Sequence, residues 1–487
     1  MSEPLLLGID DGTSGVKVAA YDLDLRVVAR AHRPVTLHHP RPGWVEQDGA
    51  EVLAAVVDAV AEVLGATDGE VVACGLDHQG ESVLAWDGAT GRPAGPMVVW
   101  QDQRGAEVLA RLSDDERDEV ARLSGLPPDA YFCAASLAWL LADGGLADHP
   151  GLRLGTLDAF LSDRLGAGHA TDASTLSRTQ LSGVVGDGED GWDARLLELF
   201  GVPGHALPVV RDSVGDLGEL RHARWRQPLP LRARVTDQQA ALAGTGCVRP
   251  GHAKATYGTG VFVLALAGER APVQARDHGL LPTVAWRTGS GTTYALDGGV
   301  FSAGSLLEWL AGGLGLAASV PDLLALAATV PDAAGVRLLP ALGGLGAPWW
   351  RPEARGVIAG LTAHTRPAHI ARAAVDAIQA RVTDVVEAMA RLVPVGDLRV
   401  DGGLTRSPGF AERQAAALGR PVWRTDGDAT CRGVAALAGV GAGLIPSVEA
   451  IESLLPPMEA VRPAAGAARL DRASWAAFVE RAAGVLD

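Results

Sequence analysis

The sequence predicts an α/β protein made of two related domains that face each other across a cleft. An apolar run, a glycine-rich turn and a second apolar run occur at 5–22 ("LLLGIDDGTSGVKVAAYD"). The same arrangement returns at 253–268 ("AKATYGTGVFVLALAG"), about 245 residues later. The length of 487 residues is that of two to four domains. Both halves mix predicted strands and helices, and clefts between domains are preferred places for small-molecule sites.

The first half is predicted to open with a β-hairpin, because residues 5–9 and 16–21 are apolar and joined by a tight polar turn. Residues 51–64 carry apolar side chains at helical spacing and predict an amphipathic helix. The remaining predictions for this half are strands at 71–76 and 97–100, helices around 105–123 and 135–143, and a loop-rich stretch at 183–230.

The recurrence places a domain boundary near 245–253. We therefore expect an N-terminal domain over 1–248, a C-terminal domain over 249–445 and a C-terminal helical tail over 446–487. Within the second domain, the strong 3.6-residue periodicity of 368–393 predicts a long helix.

The composition excludes several classes of partner. The net charge is −16 and the chain has no cluster of basic residues, which argues against binding to nucleic acid. The N-terminus has no basic segment of the kind that begins a signal peptide, and no apolar stretch approaches the ~20 residues that cross a bilayer. We expect no membrane insertion. A homodimer is left open, because nothing in the sequence decides the oligomeric state.

The four cysteines, at positions 74, 133, 247 and 431, have no CxxC spacing. This argues against a zinc site and against a disulfide framework, and it is typical of a reducing compartment. We therefore expect a cytoplasmic protein.

The first glycine turn carries groups that could hold phosphate. Glycine lets main-chain N–H groups approach an oxyanion, Thr13 and Ser14 add hydroxyls, and Lys17 adds a cation. Asp10 would then stand beside the phosphates, where a carboxylate can bind Mg²⁺. The alternative is a polar hairpin turn in which Asp10 and Asp11 are solvated. The turn matches neither the GxxxxGK[ST] nor the GxGxxG pattern.

Other segments carry candidate catalytic and binding groups. In "TDQQAALAG" (236–244), Asp237 could accept a proton from a substrate hydroxyl, or it could be the N-cap of the helix that follows. "HQGES" (78–82) and "YF" (131–132) place polar and aromatic residues in loops after predicted strands, where a small polyhydroxylated ligand could bind.

Taken together and in order, the motifs resemble those of the FGGY carbohydrate kinase family. The matching segments are "GIDDGTSGVKV", "PGWVEQD", "HQGESVLAWDGATGRP", "VVWQDQR", "YF" with Trp139, "TDQQAALAG", "TYGTGVF", "LLPALGGLGAPWW" with "RGVIAGLT", and "DGG". They extend over roughly 5–443, nearly the whole chain.

The resemblance implies two actin-like (ribonuclease H-like) domains, ATP and Mg²⁺, and phosphorylation of a hydroxyl on a small polyol or sugar. It implies that Asp10 helps to place Mg²⁺ and that Asp237 is the general base. The residues implied to bind ATP are Thr13, Ser14 and Lys17 in the first loop, Gly258 and Thr259 in the facing loop, and Gly402 and Gly403 near the adenosine. The residues implied to line the polyol pocket are Glu81, Trp100, Tyr131, Asp237, Gln238 and Phe262.

The chain departs from the family's glycerol-phosphorylating members at two positions. Gly80 stands where those members usually carry an arginine, and Ser136 stands where they carry a lysine. Loss of a bidentate donor opens space for a larger polyol or a pentulose, unless another donor or water replaces the guanidinium. Because Tyr131, "TDQQ" and Phe262 favour glycerol, we expect glycerol as the acceptor, with another polyol or a pentulose as the alternative.

A different class also remains open, namely an actin-like ATPase that uses the same nucleotide cleft without a sugar substrate. An ATPase rate that no polyol changes would favour that class.

Overall fold

The computed structural model describes residues 3–147, 149, 151–184, 191–425, 428–463 and 469–484. Each half of the chain is built on a mixed β-sheet flanked by helices. Among the helices in these ranges, none combines the length and the apolarity that a membrane span requires.

The strands and helices of the N-terminal half are numbered in chain order. Its strands are β1 (Pro4–Gly12), β2 (Gly15–Tyr21), β3 (Val27–Pro34), β4 (Glu46–Gln47), β5 (Glu70–His78), β6 (Val83–Asp87), β7 (Met97–Val98), β8 (Leu152–Thr156), β9 (Ala170–Asp172), β10 (Val209–Arg211), β11 (Glu219–Leu220) and β12 (Leu229–Thr236). Its helices are α1 (Gly49–Gly65), α2 (Gly105–Leu109), α3 (Asp114–Ser124), α4 (Cys133–Ala142), α5 (Leu157–Arg164), α6 (Ala173–Leu176), α7 (Ala194–Phe200) and α8 (Asp237–Gly244).

The second half continues the numbering. Its strands are β13 (Ala253–Tyr257), β14 (Val261–Gly268), β15 (Leu281–Thr288), β16 (Gly291–Val300), β17 (Arg337–Leu339), β18 (Val357–Ala359), β19 (Leu398–Asp401), β20 (Val422–Arg424) and β21 (Glu459–Val461). Its helices are α9 (Gly304–Glu308), α10 (Val320–Ala328), α11 (Pro367–Ala390), α12 (Phe410–Leu418), α13 (Ala429–Gly441), α14 (Ile451–Leu454) and α15 (Arg472–Ala483).

The two main sheets repeat one arrangement. In the first sheet, of order β11-β12-β5-β1-β2-β3, β1 pairs antiparallel with β2 and parallel with β5. In the second, of order β15-β16-β14-β13-β19-β20-β21, β13 pairs antiparallel with β14 and parallel with β19. Both hairpins therefore lie among the inner strands of a sheet. Their glycine turns lie where these strands end. This confirms the two related halves that the recurrence predicted.

The first hairpin turn requires glycine at its closing position. Gly12 pairs with Gly15 across the turn, and Gly15 has φ 155°. A Cβ at Gly15 would lie 2.4 Å from the carbonyl oxygen of Arg33 on the neighbouring strand. Only a residue without a side chain lets the turn approach β3 this closely.

Helices α8 and α13 cross in backbone contact where the two halves meet. A Cβ at Gly244 would lie 1.7 Å from the carbonyl oxygen of Ala429, and one at Gly433 would lie 1.9 Å from that of Ala240. Buried side chains of both helices share one hydrophobic cluster with strands of both sheets. The crossing therefore joins the two halves through close-packed glycines.

Helix α13 lies on the sheet of the first half, although it comes late in the sequence. Two glycines of that sheet make this possible, because a Cβ at Gly8 or at Gly75 would lie 2.2 Å from a carbonyl oxygen of α13. These oxygens belong to Cys431 and Val434. The sequence patterns did not predict this packing.

In three predicted segments the structure shows more elements than the sequence indicated. The helix predicted over 105–123 is two helices, since Ser113 and Glu116 form a capping box that starts α3. The stretch 183–230, predicted as loop-rich, contains α7, two short strands and the start of β12 among its described residues. The tail predicted as helical contains α14 and α15, and it also contributes strand β21 to the second sheet, where this strand pairs antiparallel with β20. This short edge strand has too few residues for a clear alternating pattern.

Candidate active site

The first glycine turn begins directly after two buried carboxylates. Asp10 and Asp11 are 4% and 0% exposed, which excludes the interpretation of a solvated pair. Lys17 Nζ lies 3.2 Å from Asp10 Oδ2, and this carboxylate raises the pKa of the lysine. Ser14 and Lys17 are exposed, so that a ligand can reach them.

Thr13 connects this turn to its neighbours. Its hydroxyl accepts a hydrogen bond of 2.9 Å from the indole Nε1 of Trp100, and its carbonyl oxygen accepts one of 2.9 Å from Gln47 Nε2. The hydroxyl still has its own proton to donate.

The second glycine turn is held by the start of α9. The carbonyl oxygen of Thr259 accepts hydrogen bonds of 3.1 and 3.0 Å from the N–H groups of Ala303 and Ser305. Gly304 donates at 3.1 Å to the carbonyl oxygen of Gly258. These bonds fix the turn while Gly258 and Thr259 remain exposed.

A third glycine segment lies at the same edge of the second sheet. Gly402 and Gly403 follow β19, whose last residue, Asp401, pairs with Thr256 just before the second turn. Gly402 has φ 98°, and a Cβ there would lie 2.3 Å from the carbonyl oxygen of Tyr257. The structure thus places the two predicted nucleotide segments of the second half side by side.

A polar pocket lies between the two halves, next to the first turn. It contains every residue predicted for acceptor binding, together with several that the sequence did not indicate. The lining residues are Thr13, Gln79, Gly80, Glu81, Trp100, Tyr131, Arg178, Thr236, Asp237, Gln238, Gln239, Phe262, Leu264 and Asp297.

Aromatic rings form one wall of the pocket. The Trp100 ring packs edge-on against Tyr131 and Phe262, with centroid separations of 6.0 and 5.8 Å. Such a wall offers apolar contact to the C–H groups of a small polyol, while most of the other lining residues are polar.

Asp237 is the first residue of α8, and the N-cap position belongs to Thr236. Its carboxylate accepts from the main-chain N–H of Gln238 at 2.7 Å and from Gln238 Nε2 at 3.1 Å. Burial raises the pKa of Asp237 to about 6, against the opposing effect of Lys254. Lys254 Nζ in turn donates at 2.5 Å to Gln238 Oε1. This arrangement gives an oriented carboxylate that is ionised at neutral pH and readily protonated below it.

Arg178, which the sequence did not single out, lines the pocket and lies between two carboxylates. Its Nε donates to Glu81 Oε1 at 2.7 Å, and its Nη2 lies 3.0 Å from Asp297 Oδ2. All three residues are buried. Burial raises the pKa of both carboxyls, and the guanidinium opposes that rise. The sequence offered a weak signal for Arg178, namely one cation within the polar segment "STLSRTQLS".

The departures noted in the sequence are visible here. Gly80 lines the pocket, and a Cβ at this position would lie 3.4 Å from Thr236 Cγ2. Ser136 is buried on α4. Among the described residues that line the pocket, Arg178 carries the one cationic side chain.

Asp77 adds a carboxylate beside the first turn. It lies opposite Asp10 in the parallel pairing of β1 with β5, and it is fully buried. Burial and the neighbouring Asp10 and Asp237 raise its pKa well above the usual range. The described residues contain no group of three or more His, Cys, Asp or Glu side chains arranged to hold a metal ion. Asp10 and Asp77 are nevertheless hard oxygen donors suited to a cation that also binds phosphate.

Two domains that present glycine turns to one cleft, beside a polar pocket with an oriented carboxylate, define a class of two-domain phosphotransferases acting on small hydroxyl compounds. The chain matches the N-terminal domain of the FGGY family of carbohydrate kinases over residues 5–244 and the C-terminal domain over 253–442. It therefore belongs to the FGGY family of carbohydrate kinases, as the motifs predicted.

Individual relatives are similar over most of their length. A glycerol kinase from Gloeobacter violaceus is 41% identical over 90% of this chain and 88% of its own. The crystal structure of Plasmodium falciparum glycerol kinase with ADP has a TM-score of 0.87 and 27% identity, covering 99% of this chain and 98% of its own. A gluconate kinase from Lactobacillus acidophilus has a TM-score of 0.86 at 19% identity, covering 99% and 97%. The last likeness concerns the fold alone.

Proposed function

We propose that this chain transfers the γ-phosphoryl group of ATP to a terminal hydroxyl of glycerol, giving glycerol 3-phosphate and ADP. The observation that carries the proposal is the position of Asp237. Its carboxylate lines the same pocket as Glu81, Gln238 and the turn residue Thr13. The 41% identity to a glycerol kinase supports glycerol as the acceptor.

Asp237 would act as the general base. Its carboxylate takes the proton of the attacking hydroxyl as the new O–P bond forms and the bond to the ADP oxygen breaks. The two hydrogen bonds from Gln238 hold the carboxylate in one orientation, and Lys254 holds the Gln238 amide. A base whose pKa is about 6 is ionised at neutral pH, as this step requires.

The two glycine turns would hold the nucleotide. Thr13, Ser14 and Lys17 face the phosphates from the first half. Gly258 and Thr259 face them from the second half, and Gly402 and Gly403 lie beside the adenosine. Glycine at these positions lets main-chain N–H groups approach the phosphate oxygens without a Cβ in the way.

A Mg²⁺ ion bound with ATP would be held by Asp10, and it would neutralise charge that develops on the phosphates.

The four cysteines are free and buried, which fits a reducing cytoplasm. A homodimer stays a hypothesis that light scattering on the purified protein tests.

A larger acceptor is the second candidate, and two observations favour it. Gly80 leaves one wall of the pocket without a side chain. A second cavity of about 240 Å³ adjoins the pocket and shares Trp100, Tyr131 and Phe262 with it. A pentulose or a longer polyol could extend into that space.

The test is ADP release with Mg²⁺ and ATP, measured with glycerol, erythritol, the pentitols, xylulose and ribulose. Under the main proposal, glycerol has the highest kcat/KM. A higher value for a five-carbon acceptor would establish the second candidate instead. ADP release that no acceptor stimulates would contradict both and favour the actin-like ATPase.

Gly80→Ala separates the two candidates further. A methyl group at this position narrows the pocket beside Thr236. If the acceptor fills that space, kcat/KM should fall about tenfold for the longer acceptors, while that for glycerol changes less.

A further inference from the structure

Two buried atoms on residues that line the pocket have no hydrogen-bond partner in the described part of the protein. They are Nη1 of Arg178 and Oδ1 of Asp297. The first is a charged donor and the second is an acceptor, and both residues line the pocket. Buried polar groups are nearly always paired in folded proteins, so a free donor and a free acceptor on two contacting side chains of a binding pocket indicate a ligand group that pairs with both.

The rest of this cluster is already satisfied and held in place. Arg178 Nε is bonded to Glu81, and Nη2 lies against the other oxygen of Asp297 at 3.0 Å. The guanidinium is planar, so these contacts also fix the direction of Nη1. The rings of Tyr131 and Phe132 lie 5.7 and 5.6 Å from the guanidinium carbon and limit its movement.

An alcohol hydroxyl is the ligand group that suits this pair. It can accept from Nη1 and donate to Oδ1 at the same time. A carboxylate or phosphate would satisfy Nη1 but would be repelled by Asp297 and Glu81. A cation would be repelled by Arg178. The cluster therefore favours a neutral hydroxyl.

The two partners come from different halves of the molecule. Arg178 follows α6 in the N-terminal half, whereas Asp297 lies on β16 in the C-terminal half. A hydroxyl held by both would contact the two halves at once.

We propose that Arg178 and Asp297 form a specificity-determining hydroxyl site, in which a non-reacting hydroxyl of the acceptor accepts from Nη1 and donates to Oδ1. The inference rests on the proposed function, because it takes the ligand of the pocket to be a polyol or sugar acceptor. The site selects acceptors that carry this hydroxyl, and it disfavours analogues in which hydrogen replaces it, since the charged donor and acceptor would then stay unpaired.

The test compares the acceptor of highest kcat/KM with its monodeoxy analogues. For glycerol these are 1,2-propanediol and 1,3-propanediol, which lack a terminal and the central hydroxyl respectively. For the wild-type protein, kcat/KM for one of these analogues should be on the order of 10²-fold lower than kcat/KM for glycerol. In Asp297→Asn, kcat/KM for glycerol should fall by a similar factor, mainly through KM. In the same variant, kcat/KM for the propanediol that the wild-type protein uses poorly (the poor analogue) should change less than threefold. KM for ATP should stay unchanged.

Arg178→Lys provides a second variant, because lysine keeps the charge between the carboxylates but loses the planar fork. It should also reduce the discrimination between glycerol and the poor analogue. An equal loss for all acceptors in both variants would mean that the cluster only supports the pocket, and it would overturn the inference.

Asp384→Asn is the matched control. Asp384 forms a buried ion pair of 2.9 Å with Arg381 on α11, and neither residue lines the pocket. This variant should lose thermal stability while keeping the wild-type discrimination between acceptors.

Calorimetry on the wild-type protein needs no variant to fold. The dissociation constant of glycerol should be on the order of 10²-fold lower than that of the poor analogue. Equal affinity for glycerol and both propanediols would overturn the inference even if glycerol-dependent ADP release is observed. If no polyol or sugar stimulates ADP release, the proposed function fails, and this inference fails with it.

Discussion

The indole Nε1 of Trp100 donates a 2.9 Å hydrogen bond to the hydroxyl of Thr13. The bond joins the aromatic wall of the acceptor pocket to the turn proposed to hold the phosphates. A change at either residue should therefore alter both the acceptor pocket and the turn.

Thr13→Val tests this connection. The side chain keeps its shape but no longer accepts from Trp100, whose N–H is left unpaired in a partly buried position. We expect kcat/KM for the acceptor to fall about 10- to 100-fold, measured by initial rates at saturating ATP. Thr13→Ser, which keeps the hydroxyl, should stay within a few-fold of the wild-type protein. A change confined to KM for ATP in Thr13→Val would show that the bond does not reach the acceptor site.

Asp237→Asn should remove the general base while leaving the shape of the pocket intact. We expect kcat to fall about 10²- to 10⁴-fold, the usual contribution of such a group. Binding of ATP should persist, because the nucleotide would be held by the glycine turns, and calorimetry can measure it. Full turnover in this variant would rule out the role of Asp237.

The pH profile follows from the raised pKa of the same residue. Since the base must be ionised, kcat/KM for the acceptor should rise with pH up to about 6 and level off above it. Lys254 faces this carboxyl as an opposing charge, while Asp10 and Glu81 act in the same direction as burial. A profile that is flat between pH 5 and 7.5 would mean that Asp237 does not titrate in the catalytic step.

Stability should depend on Asp237 in the opposite sense. A carboxyl whose pKa is about 6 in the folded protein, against 3.8 for the free side chain, favours folding at low pH and opposes it as the pH rises through 6. Asp237→Asn should therefore have a free energy of unfolding about 1–3 kcal/mol higher than that of the wild-type protein at pH 7, measured with urea. The difference should shrink towards pH 4. A less stable variant at pH 7 would show that ionised Asp237 is held by more favourable contacts than those described above.

The crossing of α8 and α13 makes a prediction about folding. In Gly433→Ala, the new methyl group would meet the carbonyl oxygen of Ala240, which is part of a helix backbone and cannot move alone. We expect a loss of about 3 kcal/mol in the free energy of unfolding, measured with urea.

Gly65→Ala is the matched control for this substitution. It lies at the exposed end of α1, where a Cβ would meet nothing within 4 Å. It should be neutral or stabilising by up to ~1 kcal/mol, since glycine is a poor helix residue. If both variants have the same free energy of unfolding, the two helices are packed less closely than the structure indicates.

Several features were predictable from the sequence because they depend on residues close together in the chain. The glycine hairpins follow from apolar runs and turn residues, and α11 (Pro367–Ala390) follows from the periodicity of 368–393. The family motifs also indicated the aromatic wall of the pocket and the place of Asp237. Each hairpin and the helix are specified within one short segment, whereas the aromatic wall draws on three separate motifs that only the family resemblance connects.

The tertiary structure alone decided which distant residues meet. Arg178 and Asp297 are separated by more than one hundred positions, and neither segment has a pattern that pairs them. Gly8 and Gly75 read as ordinary strand residues until α13 is seen lying against them. Local sequence determines turns, periodicity and the residue types offered to the cleft. The pairing of buried charges and the contact of backbones depend on how the sheets and helices pack in three dimensions.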